Sequence, residues 1–157
     1  MTQPDLPAPE QTPYPGYDME DSIGYLVARV RSLLMAQLTQ ETARFGLTST
    51  QATMLYKLAT GKCITAADLS REYCIDASAV TRLLDRLEKH GLLIRERSRE
   101  DRRTVILNLT AEGRAQAMRM PEIFLTCADR LLRGFTPDEV ALLKDMLRRV
   151  IANSEIG

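Results

Sequence analysis

The chain has 157 residues, 45% of them hydrophobic and 27% charged, which suits one soluble domain, or one domain with a dimerisation element. Its 21 basic and 21 acidic side chains give a formal net charge of zero, so the overall charge does not indicate a nucleic-acid partner. No run of about 18 apolar residues is present, which argues against a membrane span. The start of the chain lacks the basic and apolar regions of a secretion signal, so none is expected.

Charge is nevertheless segregated along the sequence. Residues 1–28 carry acidic side chains and no Lys or Arg, whereas basic side chains outnumber acidic ones between Arg82 and Arg103. Because a local field captures DNA more effectively than the total charge does, the second segment is the better candidate for a nucleic-acid contact.

The three cysteines, Cys63, Cys74 and Cys127, are odd in number and lack CxxC spacing. This pattern favours a reducing cytoplasm and argues against a disulfide scaffold or a zinc site. We interpret all three as buried small residues.

Five prolines fall within residues 1–16, so residues 1–17 are predicted to form a flexible arm, which could also wrap a partner subunit. A long helix should follow, from about Asp18 to Phe45. Its apolar residues recur at steps of three and four, which places them on one stripe. They are Ile23, Leu26, Val27, Val30, Leu33, Leu34 and Leu38.

Three further helices have N-terminal caps that the sequence reveals. The caps are Thr48 with Gln51, Thr65 with Asp68, and Asp76. The last two of these helices are short and are joined by about three residues, 74–76, which is the spacing of a helix-turn-helix.

The helix that Asp76 caps should run from Ser78 to His90 and stop at Gly91, and a β-hairpin should follow. We predict strands at Leu92–Ile94 and Thr104–Leu109, joined by a tip rich in arginine. The arginines are Arg95, Arg97, Arg99, Arg102 and Arg103. A helix of this kind suits the DNA major groove, and a basic hairpin suits phosphates or a neighbouring minor groove.

Thr110 should cap a helix over residues 111–133, which either kinks or splits at Pro121. Thr136 and Glu139 form a capping box for a last helix, which should reach about Asn153. The first and the last two helices carry more apolar surface than the central module can cover, so we predict a two-fold homodimer.

The predicted fold class is therefore mainly α with a small β-hairpin wing: a winged helix-turn-helix with a helical dimerisation region. The winged module should span residues 47–110, and the dimerisation region residues 18–46 and 111–157.

Asp101, Arg103, Leu107, Leu109 and Thr110 match the pattern DxRxxxLxLT. Together with LTSTQATMLYKLA at 47–59 and SAVTRLLDRLEKHGLL at 78–93, they make roughly residues 20–153 resemble the MarR family of bacterial winged-helix regulators. The resemblance implies a DNA-binding transcriptional regulator, by default a repressor, in the cytoplasm of a bacterium or archaeon.

Ser78, Thr81 and Arg82 should lie on one face of the recognition helix. We expect Arg82 to bind a guanine edge through two hydrogen bonds, and the two hydroxyls to touch phosphates or base edges. Arg86 completes the DNA-contacting set on this helix. The alternative is that Arg82 pairs with Asp85, and Arg86 with Glu88.

In the wing, the resemblance implies that Asp101 braces Arg103, which enters the minor groove. Arg97, Arg99 and Arg102 would contact phosphates, since arginine suits narrow grooves. The alternative interpretation is a solvated, charged turn.

The resemblance also implies a cleft for a small aromatic acid or phenol. Candidate lining residues are Tyr25, Arg29, Met54 and Lys57, with a cation holding the carboxylate and the ring on Tyr25 and Met54. Alternatively, Tyr25 is dimer core and Arg29 a surface charge, or the sensor is oxidation of a cysteine such as Cys74.

The sequence leaves two other classes of function as alternatives. No nucleophile elbow, phosphate-binding glycine loop or metal spacing accompanies the single histidine, His90, so we expect neither an enzyme nor a cofactor or metal. A helical interaction protein without DNA contact, such as an anti-repressor, is the other alternative, and the arginine-rich hairpin argues against it.

Overall fold

The computed structural model describes residues 16–154, in two units that divide between Leu33 and Leu34. Of the arm predicted over residues 1–17, residues 1–15 lie outside the described range. The helices are α1 (Ile23–Thr42, extended by a 3-10 turn, Ala43–Phe45), α2 (Ser49–Ala59), α3 (Ala66–Tyr73), α4 (Ala77–Lys89), α5 (Ala111–Ala117), α6 (Met120–Leu131) and α7 (Pro137–Ser154). The strands are β1 (Leu93–Arg97) and β2 (Val105–Leu109).

The first unit consists, in its described part, of a short turn and the first half of α1. The helix begins at residue 23 rather than at Asp18, because Asp18 accepts a hydrogen bond from the Glu20 N–H in a local turn. Ser22 then caps the helix by accepting from the Tyr25 N–H. The stripe of apolar residues predicted on this helix is largely exposed within the unit.

In the second unit, the caps predicted from sequence are present. Thr48, Thr65, Asp76 and Thr110 each accept a backbone N–H from the residue three positions later. Each cap satisfies a donor that the first turn of a helix leaves free. These bonds fix where α2 to α5 begin, and so fix the connections between them.

The helix predicted over 111–133 is two helices, α5 and α6, so the alternative of a split is the one observed. Pro121 lies in the first turn of α6, where its missing N–H leaves no hydrogen bond unmade. The predicted hairpin is also present, with antiparallel pairs from Leu93 with Leu109 to Arg97 with Val105. Its first strand is longer than predicted, which places Arg95 and Arg97 on β1 rather than at the tip.

The hydrophobic core of the second unit lies beneath α4 and the hairpin. Its fully buried side chains include Leu55, Leu69, Val80, Leu84, Leu87, Leu92, Leu93 and Met120. Two backbone hydrogen bonds fix the hairpin, one to the residue before the cap of α3 and one across its open end. The Leu107 N–H donates to the Ile64 carbonyl at 2.8 Å, and the Thr110 N–H donates to the Leu92 carbonyl at 3.1 Å.

Gly113 in α5 packs directly on the backbone that leaves α4. A Cβ at this position would lie 1.8 Å from the Leu92 carbonyl oxygen, so no other residue fits without displacing the backbone. None of the helices in the described range, 16–154, is long and apolar enough to cross a membrane.

Candidate nucleic-acid interface

The amphipathic character of α4 brings the predicted contact residues together. Val80, Leu84 and Leu87 face the core with at most 1% of their surface exposed. The opposite side of the helix, which we call the outer face, is exposed and carries Ser78, Thr81, Arg82 and Arg86. Burial of one stripe therefore presents the other to solvent.

Hydrogen bonds order the start of the outer face. Ser78 donates its hydroxyl to the Asp76 carboxylate, and this bond, followed by that from the Ala79 N–H, lowers the pKa of Asp76. The Arg82 Nη1 lies 3.3 Å from the Ser78 Oγ. Thr81 donates to the Ala77 carbonyl at 2.8 Å. The two hydroxyl protons are thus engaged within the protein, and the guanidinium of Arg82 retains most of its donors for a ligand.

The acidic residues of α4 pair with the hairpin rather than with the outer face. Arg95 of β1 donates to the Asp85 Oδ1 at 2.7 Å and to the Glu88 Oε2 at 2.9 Å. Within residues 16–154, no salt bridge joins Arg82 to Asp85 or Arg86 to Glu88. The sequence placed Arg95 among the hairpin arginines but did not indicate this pairing, because its partners lie seven and ten residues earlier and meet it only in the folded protein.

A tight turn sets the angle between α3 and α4. Cys74 has φ 50° and ψ 43°, in the left-handed region, and is the only non-glycine with positive φ in the described chain. The Ser70 hydroxyl donates to the Ile75 carbonyl at 2.6 Å, which closes the turn. No residue pattern in the sequence indicates this conformation at a cysteine.

We call β1, β2 and the tip at residues 98–104 the wing. The Asp101 carboxylate holds the tip of the wing. One carboxylate oxygen accepts from the Arg103 N–H at 2.9 Å, and the other accepts from the Thr104 hydroxyl at 2.9 Å. These two hydrogen bonds, in that order, lower the pKa of Asp101. The contact with Arg103 is made to the backbone, so it fixes the direction of the chain and leaves the guanidinium in solvent.

The wing arginines form an exposed cationic cluster. Arg97 donates from Nη1 to the Arg102 carbonyl at 3.0 Å, which stiffens the tip. Arg99, Arg102 and Arg103 are exposed, and the salt bridges found within residues 16–154 include none of them. A surface with these properties can bind anions such as phosphates.

The residues predicted to line an effector cleft differ in exposure and are described unit by unit. Tyr25 is half-buried and Arg29 exposed, both in the first unit. In the second unit, Met54 has no exposed surface and belongs to the core. Lys57 forms a salt bridge with Glu72. Met54 therefore has no surface open to a ligand in this structure.

The three cysteines differ in exposure. Cys63 and Cys127 are buried, as predicted, and burial raises the pKa of both thiols. Cys74 is exposed, so its interpretation as a buried residue is wrong: the left-handed turn directs it away from the core. Among the described residues, no group of three or more His, Cys, Asp or Glu side chains is arranged to hold a metal ion.

A short helix pair with a tight turn, whose second helix is followed by a two-stranded hairpin, defines a winged helix-turn-helix protein. The MarR family model matches residues 47–105. The multiple antibiotic resistance protein MarR of Salmonella typhimurium is 30% identical over 132 residues, which cover 82% of this chain and 90% of that protein. The chain belongs to the MarR family of winged-helix transcriptional regulators.

Other relatives agree with this assignment. An HTH-type transcriptional repressor of Mycobacterium tuberculosis is 28% identical over 128 residues, covering 82% of this chain and 92% of the relative. A crystal structure of a mutant MarR from Escherichia coli complexed with operator DNA has a TM-score of 0.75 and 28% identity, covering 85% of this chain and 99% of that one.

Proposed function

We propose that this protein is a homodimeric repressor that binds a pseudo-palindromic DNA operator and is released from it by a small aromatic or phenolic acid. One observation carries the DNA-binding part: the outer face of α4 and the wing arginines are both exposed, while Arg95 holds the acidic residues of α4. The relative crystallised with operator DNA and the relative named as a repressor support the same function.

In this proposal, the outer face of α4 enters the major groove. Arg82 binds a guanine edge, since the free donors of its guanidinium match the two acceptors there. Arg86 contacts the same groove or its border, and Ser78 and Thr81 approach base edges mainly as hydrogen-bond acceptors. Such contacts read sequence, because the major groove presents a different pattern for each base pair.

The wing reaches the adjacent minor groove. Arg103 enters it, and Asp101 holds the backbone at Arg103 in the required direction. Arg97, Arg99 and Arg102 contact phosphates, which adds affinity without sequence information.

Apolar surface left exposed on single helices supports the proposed dimer. In α1, Leu26, Val27 and Val30 are 44–58% exposed. In α7, Leu143 and Leu147 are 36% and 42% exposed. Faces of this kind need a partner, and a second copy provides one by two-fold symmetry. We assign residues 18–46 and 111–157 to dimerisation and residues 47–110 to DNA binding.

An effector need only favour a dimer whose recognition helices are wrongly spaced, since two half-sites must lie about one helical turn apart. A ligand with a tenfold preference for the non-binding form supplies about 1.4 kcal/mol. The candidates to hold such an acid are Tyr25, Arg29, Met54 and Lys57, of which Met54 is buried in this structure.

Fluorescence anisotropy with a labelled duplex from the gene's own upstream region, against a scrambled duplex of equal length, tests DNA binding. Light scattering on the same sample tests the dimer. Thermal melting against a panel of aromatic acids, with and without the duplex, tests the effector. A monomer that binds neither duplex at low ionic strength would contradict the proposal.

A further inference from the structure

Arg95 connects the wing to the recognition helix through two carboxylates. It lies on β1, and its two terminal nitrogens donate separately to Asp85 and Glu88 of α4, at 2.7 and 2.9 Å. The side chain is 29% exposed, against 54% for that of Asp85 and 40% for that of Glu88. The guanidinium is therefore held between β1 and α4, with the carboxylates nearer to solvent.

The position of Asp85 on α4 gives this contact its importance. Asp85 follows Ser78 by seven residues and Arg82 by three, so it lies on the same side of the helix as the outer face. A free carboxylate there would repel DNA phosphates. At a spacing of three residues, it would also attract the Arg82 guanidinium away from a base.

We propose that Arg95 is a positioning residue for DNA recognition: it neutralises Asp85 and Glu88 and thereby leaves Arg82 free to contact a base. This inference rests on the proposed function. An arginine suits the task because its planar fork reaches two acceptors at once, whereas an ammonium is a single point charge.

Four variants test the inference by anisotropy at low salt: Arg95→Gln, Arg95→Lys, Arg95→Gln with Asp85→Asn and Glu88→Gln, and Arg95→Gln with Glu96→Gln and Glu100→Gln. The last is a matched control, because it removes two wing carboxylates that Arg95 does not contact. Arg95→Gln should weaken duplex binding about tenfold by exposing like charge to the phosphates. Adding Asp85→Asn and Glu88→Gln to Arg95→Gln should restore the affinity to within about threefold of that of the native chain. The matched control should leave the affinity low.

Arg95→Lys, which keeps the charge, should lose less affinity than Arg95→Gln. A restored affinity in the matched control would overturn the inference. Failure of Asp85→Asn with Glu88→Gln to restore binding would also overturn it, because Arg95 itself would then contact DNA. Circular dichroism and thermal melting confirm that each variant is folded.

If Arg95→Gln does not fold, Asp85→Asn with Glu88→Gln in the otherwise native chain takes its place. That variant should bind the duplex as tightly as the native chain or more tightly, and weaker binding would overturn the inference. A native chain that binds no duplex removes the proposed function and this inference together. A native chain that binds, with Arg95→Gln equally tight, removes the inference alone.

Discussion

The Asp101 carboxylate accepts the backbone N–H of Arg103 at 2.9 Å and so fixes the turn from which Arg103 projects. Asp101→Ala should release this turn and lower duplex affinity several-fold, although it also removes a negative charge near the phosphates. Glu100→Gln is the control, since it removes the same charge and leaves the carboxylate bonds of Asp101 in place. Anisotropy titrations should show weaker binding for the first variant and equal or tighter binding for the second. Tighter binding by both would mean that the turn does not need Asp101.

The same carboxylate predicts a dependence on pH. Its folded-state pKa is lowered from 3.8, first by the Arg103 N–H and then by the Thr104 hydroxyl. A lowered pKa means that these bonds persist above the unfolded value and are lost as the pH falls through the folded one. The amide resonance of Arg103 should therefore stay constant from about pH 7 to about pH 5 and shift at lower pH with a midpoint below 3.8. A midpoint above 3.8 would contradict this, and Asp101→Asn should show no transition.

Arg82 and Arg99 should differ in how their loss affects binding. Arg82→Ala should cost about 1–3 kcal/mol on the preferred duplex and little on a scrambled one, because a base contact is lost. Arg99→Ala should weaken both duplexes equally and reduce the slope of log affinity against log salt by about 0.9, because a phosphate contact is lost. Titrations at several salt concentrations separate the two. Equal losses on both duplexes for both variants would refute the roles assigned here.

Two helical glycines offer a matched pair for stability. Gly113→Ala would place a Cβ 1.8 Å from the Leu92 carbonyl oxygen, so it should destabilise the fold by at least about 1–3 kcal/mol. Gly24→Ala meets no atom within 4 Å and should be neutral or stabilise α1 by up to about 1 kcal/mol. Urea unfolding of both variants measures the difference. Unfolding curves that coincide would show that the backbone near Leu92 yields easily.

The dimer can be tested on α1. Val30 is 58% exposed in the single chain, so Val30→Glu should place a charge in the proposed interface, give monomers and weaken operator binding. Ser32→Glu adds the same charge two residues later, on another side of the helix. Light scattering should report half the native mass for the first variant and the native mass for the second. A dimeric Val30→Glu variant would show that the interface does not include this face of α1.

The local signals in the sequence were sufficient for most of the fold. The capping boxes at Thr48 and Thr65 depend on residues three positions apart, so they form as soon as the helix does. The proline at 121 indicated a break, but whether it bends or divides the helix depends on packing around it. The spacing of Ser78, Thr81 and Arg82 also placed them on one face of α4, and the structure leaves that face exposed.

Features that depend on distant neighbours were not predictable. Met54 was expected to line a cleft, but whether a methionine on α2 faces solvent depends on the elements that surround it, which periodicity does not specify. The left-handed turn at Cys74 joins two helices that pack on each other, and the local residue pattern does not indicate it. The partners of Arg95 are set by where β1 lies on α4, which is a property of the assembled unit.

The wing is fastened on both sides. Leu107 of β2 is bonded to Ile64, just before α3, and Arg95 of β1 is bonded to α4. These contacts would hold the recognition helix and the wing in one relative orientation. In the proposed dimer, an effector would thus act less by deforming one winged module than by changing the distance between the two modules. The spacing of the operator half-sites would select the distance that binds.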